Sequence, residues 1–253
     1  MKHQMKVFLL LVTLFSFTAS LSYATNKPSE KVTLTVFAAS SLGQTFTILG
    51  KEFESKHPGA IVQFSFLSSS TLATQLLAGA PADVFASASS TDMARVKALV
   101  PASNLFAFNR VVLVTPKNNN FHVNKIGDLN KRGLKWIQCA HIVPCGAAAD
   151  AALASQGGIT SKPVSLEPKV SSVVAKVVIG EVDAAIIYHS DYISNKSVLK
   201  EIRFKNFEAS KTSYPIGVVN SSRFQELAKS FVAMVHSPFG RKVLAEAGFI
   251  RVN

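Results

Sequence analysis

The sequence predicts an α/β protein in which short apolar strands feed directly into helices. Three observations carry this expectation. β-Branched and apolar runs of strand length occur at residues 32–38, 61–66, 83–88, 111–115 and 182–188. Between them lie segments whose apolar residues recur at helical spacing, such as Leu42, Phe46, Leu49 and Phe53. Two of the strands also end in serine turns, Ser40-Ser41 and Ser68-Ser69-Ser70, at the points where helices begin.

Taken in order, the first strand, 32–38, enters Ala39-Ser-Ser-Leu42 and a helix that ends near His57-Pro58-Gly59. The second strand, 61–66, runs into three serines and a helix marked by Leu72, Leu76 and Leu77, which Gly79 and Pro81 close before the strand 83–88. A third helix is expected over 91–99, and 105–110 leads into the strand 111–115, which Pro116 ends. A short strand, 136–139, precedes Ala140-His-Ile-Val-Pro-Cys-Gly146 and a small-residue helix over 147–155. There Pro144 fixes the backbone and Gly146 permits close approach. Residues 164–168 read as irregular, and Val170 opens a helix through Val173, Val174, Val177 and Val178 that stops at Gly180. The strand 182–188 delivers Tyr188 to a polar loop, His189-Ser-Asp191. A strand at 216–219 and helices over 224–236 and 239–247 complete the chain.

Residues 1–24 stand apart. Lys2 and Lys6 precede an apolar run, and Ser22-Tyr-Ala24 places small residues where a signal peptidase cuts, so a secretory signal is expected and a spanning helix is the alternative. Removing it takes away two lysines and no acid, so the charge falls from +12 to +10 over 229 residues, enough for two small domains or one large one. The basic residues are scattered (Lys51, Lys56, Arg95, Lys97, Arg110), without the clustered face and interleaved aromatics of a nucleic-acid binder. A solvated basic surface that raises the local concentration of anions is the reading.

In an exported chain the two cysteines, Cys139 and Cys145, suggest a disulfide first, with free thiols, a metal ligand or a catalytic thiol as the other readings. The chain has no G-x-S-x-G elbow, phosphate-binding loop, dinucleotide fingerprint or H-E-x-x-H helix, and so no enzyme motif or resident cofactor. What recurs is an uncharged donor at a helix start: the hydroxyls of Ser41 and Ser69 and the backbone near Cys145 and Val170, with the Tyr188 hydroxyl besides. Loops after parallel strands gather at one sheet edge, so the two serine turns are expected to face one cleft. Free N–H groups at helix starts suit an anion, and a ring of donors without acceptors rejects a protonated one.

At these residues the chain resembles a family. Val36-Phe-Ala-Ala-Ser-Ser-Leu42, Phe66-Leu-Ser-Ser-Ser-Thr-Leu72, Gly79-Ala-Pro-Ala-Asp-Val-Phe-Ala-Ser-Ala88, Val143-Pro-Cys-Gly146 and Gly180-Glu-Val-Asp-Ala-Ala-Ile-Ile-Tyr-His-Ser-Asp191 are similar to segments of the periplasmic molybdate-binding proteins of ABC transporters. The resemblance implies a two-lobe periplasmic-binding-protein-like fold, each lobe a mixed sheet flanked by helices, joined by two hinge crossovers. Lobe 1 then takes residues 32–108 and 215–253 and lobe 2 residues 109–214. It implies capture of molybdate or tungstate by Ser41, Ser69 and Tyr188 side chains and the amides of Cys145 and Val170, with no protein-ligated metal cation. Delivery to a membrane ABC permease by a monomer in the periplasm, or on the outer face of the cell membrane, would follow. Three departures stand out: Cys145 where alanine is common, Lys169 where an acidic residue is expected, and no lipoprotein cysteine. A binding protein for sulfate or an organic anion, and a Cys145- or Tyr188-dependent enzyme, are the alternatives.

Overall fold

A computed structural model describes residues 31–252. The expected signal segment lies outside the described residues. The chain begins with β1 (Val32–Ala39), whose 3-10 turn at Ser40–Leu42 runs straight into α1 (Gly43–Lys56). It continues through β2 (Ala60–Leu67), α2 (Ser69–Leu77), β3 (Val84–Ala86), α3 (Ser90–Arg95) and the long β4 (Ser103–Pro116). Then follow β5 (Trp136–Cys139), α4 (Pro144–Gln156), β6 (Ser165–Glu167), α5 (Val170–Val178), β7 (Ala184–Tyr188) and α6 (His189–Asn195). The last elements are β8 (Leu199–Ile202), α7 (Phe207–Ser210), β9 (Lys211–Val218), α8 (Gln225–His236) and α9 (Pro238–Glu246).

The strands lie in the order β2-β1-β3-β9-β4-β7-β5-β6, with β8 paired to β4. The outer groups β2-β1-β3 and β7-β5-β6 are parallel internally, while β9 and β4 join them through antiparallel ladders. The period-2 pattern of β1 explains its central place in the first group. Leu34, Val36 and Ala38 face a core shared with Phe46, Phe53 and Phe231, while Phe37 faces a second core with Leu72, Leu76 and Phe85. Around β5 and β7 a third core gathers Val112, Trp136, Ile137, Val173, Ile187 and Leu199.

Register places the turns. Ala39 at the end of β1 pairs with Leu67 at the end of β2, so the two serine turns emerge side by side. Cys139 at the end of β5 likewise pairs with Glu167 at the end of β6, which puts the Cys145 turn beside the start of α5.

Several expected elements differ. Residues 165–167 form β6 instead of irregular chain, because pairing with β5 supplies the ladder that three residues cannot signal alone. The expected loop His189-Ser-Asp191 is the first turn of α6, where the Asp191 carboxylate accepts from Tyr188 N–H, a cap misread as a polar loop. The strands β4 and β9 start earlier than expected, at Ser103 and Lys211, since mutual pairing extends them. The helix expected to reach Leu99 stops at Arg95.

Candidate functional site

All five sequence-selected residues, Ser41, Ser69, Cys145, Val170 and Tyr188, line one small cavity. Each stands at the start of a helical segment that follows a strand or a turn. Ser41 sits in the 3-10 turn after β1, Ser69 opens α2, Cys145 lies in the first turn of α4, Val170 opens α5 and Tyr188 caps α6. The N-terminal ends of helices carry unpaired N–H groups and the positive end of the dipole, so their convergence creates positive potential without a cation. No charged side chain lines the cavity.

Several of the wall groups keep a hydrogen that no protein acceptor takes up. Ser68 caps α2 by accepting from Thr71 N–H at 3.2 Å, which leaves Ser69 free of that task. Ser69 Oγ instead accepts from Ala88 N–H at 2.8 Å, so its own proton remains to be donated. Ser41 Oγ lies 2.8 Å from the hydroxyl of Tyr214, a buried β9 residue absent from the sequence reading. The Tyr188 hydroxyl is buried without a hydrogen-bond partner, with Thr212 and Tyr214 as its neighbours. Burial first, then neighbouring Tyr214, pushes its phenol well above the ordinary value, so it stays a neutral donor. The Cys145 and Val170 amides are first-turn groups with no intrahelical acceptor, and none of the turn or cap bonds uses them.

Cys139 and Cys145 are joined in a disulfide with Cα atoms 5.7 Å apart, so Cys145 offers its amide, not a thiol. The bridge closes the turn that ends in Gly146, where a Cβ would stand 1.9 Å from Ala140 O. Only glycine allows α4 to start that close to the end of β5. Beside the cavity, Asp191 is held against Tyr188 N–H at 3.3 Å, and burial raises its carboxyl to about 7. His189 pairs with Glu201 at 2.6 Å. Among the described residues no group of three or more His, Cys, Asp or Glu could hold a metal ion.

Chemically, this wall offers several donors and no carboxylate, and the Ser41 and Ser69 oxygens are already engaged behind it. Each hydrogen bond to an oxyanion contributes ~1.5 to 3 kcal/mol, and each helix start a further ~0.3 to 1 kcal/mol, against the cost of drying the ion. The space is smaller than the ~300 to 1,000 Å³ typical of sites for organic ligands, which suits a compact inorganic ion.

Fold and site together are those of a periplasmic-binding-protein-like solute-capture protein. The periplasmic molybdate-binding protein of Azotobacter vinelandii superimposes with a TM-score of 0.76 at 19% identity, covering 87% of this chain and all of that one. The sulfate-binding protein SubI of Mycobacterium tuberculosis follows the same fold, with a TM-score of 0.73, 19% identity and 88% of both chains covered. The chain belongs to the family of bacterial extracellular solute-binding proteins, whose model matches residues 34–250. It is also 38% identical over 221 residues to the molybdate-binding protein ModA of Mycobacterium tuberculosis, covering 86% of this chain and 84% of that protein.

Proposed function

We propose that this protein captures molybdate or tungstate in the cavity formed by Ser41, Ser69, Cys145, Val170 and Tyr188 and delivers the ion to a membrane ABC permease. The observation that carries the reading is the buried, unpartnered hydroxyl of Tyr188, a residue that lines the same small space as two serines whose oxygens are already engaged. A tetrahedral dianion gives all these donors an acceptor at once. The protein works as a monomer outside the cytoplasmic membrane, exported by the signal at residues 1–24. It is not an enzyme, holds no cofactor and has no nucleic-acid partner. Residues 32–108 with 215–253 form one lobe and 109–214 the other, with β4 and β9 as the crossovers that let the lobes close on the ion.

Sulfate is the rival ligand, because the same fold serves a sulfate-binding protein. The 38% identity to a molybdate-binding relative favours the larger ion. Calorimetric titration of the chain from Thr25 onward with molybdate, tungstate, sulfate and phosphate separates them. The expected result is tight binding of the first two, and weaker binding of molybdate by Ser41→Ala, Ser69→Ala and Tyr188→Phe, each still folded. Stronger binding of sulfate than of molybdate, or unchanged affinity in all three variants, overturns the reading.

A further inference from the structure

Three consecutive serines exceed what one helix cap and one ligand contact require. Ser68 caps α2 and Ser69 lines the cavity, so Ser70 is left over. Its hydroxyl reaches in two directions: 2.9 Å to Asp92 Oδ2 on α3 and 3.0 Å to the carbonyl of Ile142. That carbonyl lies three residues before Cys145, in the turn closed by the disulfide. Ser70 therefore spans from the segment that carries one cavity donor to the segment that carries another. A second contact of this kind joins Ser194 Oγ on α6 to Gln44 Oε1 on α1.

A serine hydroxyl has one proton, so the two acceptors within its reach share it and compete for it. Asp92 is the steady claimant: its other oxygen, Oδ1, is held by Arg95 Nη1 at 3.0 Å, so Oδ2 keeps facing Ser70. Building on the proposed two-lobe capture mechanism, we infer that Ser70 is a closure latch, its proton shared between Asp92 and Ile142 O when the cleft is shut and held by Asp92 alone when it opens. Because the open state offers Ser70 a charged acceptor, opening leaves no unsatisfied donor. The latch then holds the ion by Ile142's share of one hydrogen bond, a weak hold that suits a protein that must release its cargo.

Substitutions at the two ends of this competition have opposite effects. Ser70→Ala removes the latch and speeds molybdate release by about two- to fivefold, part of the worth of one neutral hydrogen bond. Asp92→Asn slows release. Arg95 keeps the amide oxygen turned toward itself, so the amide nitrogen donates to Ser70 Oγ and frees the serine proton for Ile142 O. A merely structural role for the Ser70–Asp92 contact predicts faster release in both variants. Release is followed with radiolabelled molybdate after rapid dilution, with thermal melts to confirm that both variants fold.

Small-angle X-ray scattering of the ligand-free proteins gives a readout independent of the ligand: Ser70→Ala more open than the parent chain, Asp92→Asn more closed. Equal release rates with equal scattering, or changes of the same sign in both variants, overturn the latch. A parent chain that fails to bind molybdate, while the scattering still splits as stated, overturns the choice of ligand and leaves the latch standing.

Discussion

The Ser41 and Tyr214 hydroxyls lie 2.8 Å apart in a buried contact that ties the turn after β1 to β9. Burial above all pushes the Tyr214 phenol far up, so it keeps its proton. When Tyr214 donates to Ser41 Oγ, the serine's own hydrogen is turned toward the cavity. Tyr214→Phe should therefore weaken molybdate binding by about fivefold, roughly the 1 kcal/mol of a neutral hydrogen bond, although Tyr214 does not line the cavity. Calorimetric titration checks this, and unchanged affinity would remove Tyr214 from the donor set.

Tyr188 carries the opposite balance. Its hydroxyl is buried with nothing to bond, which costs the ligand-free fold ~1 to 3 kcal/mol. Tyr188→Phe should raise the melting temperature of the ligand-free protein while lowering affinity for molybdate about tenfold or more, the worth of a hydrogen bond to an ion. A variant both less stable and unchanged in binding would contradict the assignment. Melting with and without molybdate reads both effects.

The disulfide separates structure from chemistry at Cys145. The two cysteines are six positions apart, and a loop that short contributes on the order of 2 kcal/mol. Replacing both by alanine should lower stability by about that amount and keep molybdate binding within a few-fold, because the donor is the backbone N–H. Loss of all binding in a folded double variant would show that the bridge, not the amide alone, sets the site.

Stability should also depend on Asp191. Burial raises its carboxyl to about 7, above the ~3.9 of an unfolded aspartate. The folded state thus holds the proton more tightly than the unfolded chain. The stabilisation is fully present below about pH 4 and is lost as pH rises through about 7. Asp191→Asn keeps an acceptor for Tyr188 N–H and removes the titration. Its melting temperature should change less between pH 5 and 8 than that of the parent, and should exceed the parent's at pH 8. Parallel pH profiles would rule out Asp191 as the source.

The local patterns were strong where one segment decides its own state. The apolar spacing of α1 and α5, the β-branched run of β1 and the serine turns at the helix starts all declare themselves over a few residues. Elements held by a partner did not: β6 exists through its ladder to β5, and the early halves of β4 and β9 exist through each other. The start of α6 was hidden because a cap and a polar loop use the same residue types.

The sequence by itself determined which groups could meet an anion, since donor hydroxyls and helix starts are properties of short stretches. Folding alone supplied the partners that hold them. Tyr214 behind Ser41, Ala88 N–H behind Ser69 and the carbonyl of Ile142 opposite Ser70 come from segments 173, 19 and 72 positions away. A hydrogen bond depends on distance and angle between atoms that only the folded sheet brings together, so no local pattern could announce those partners.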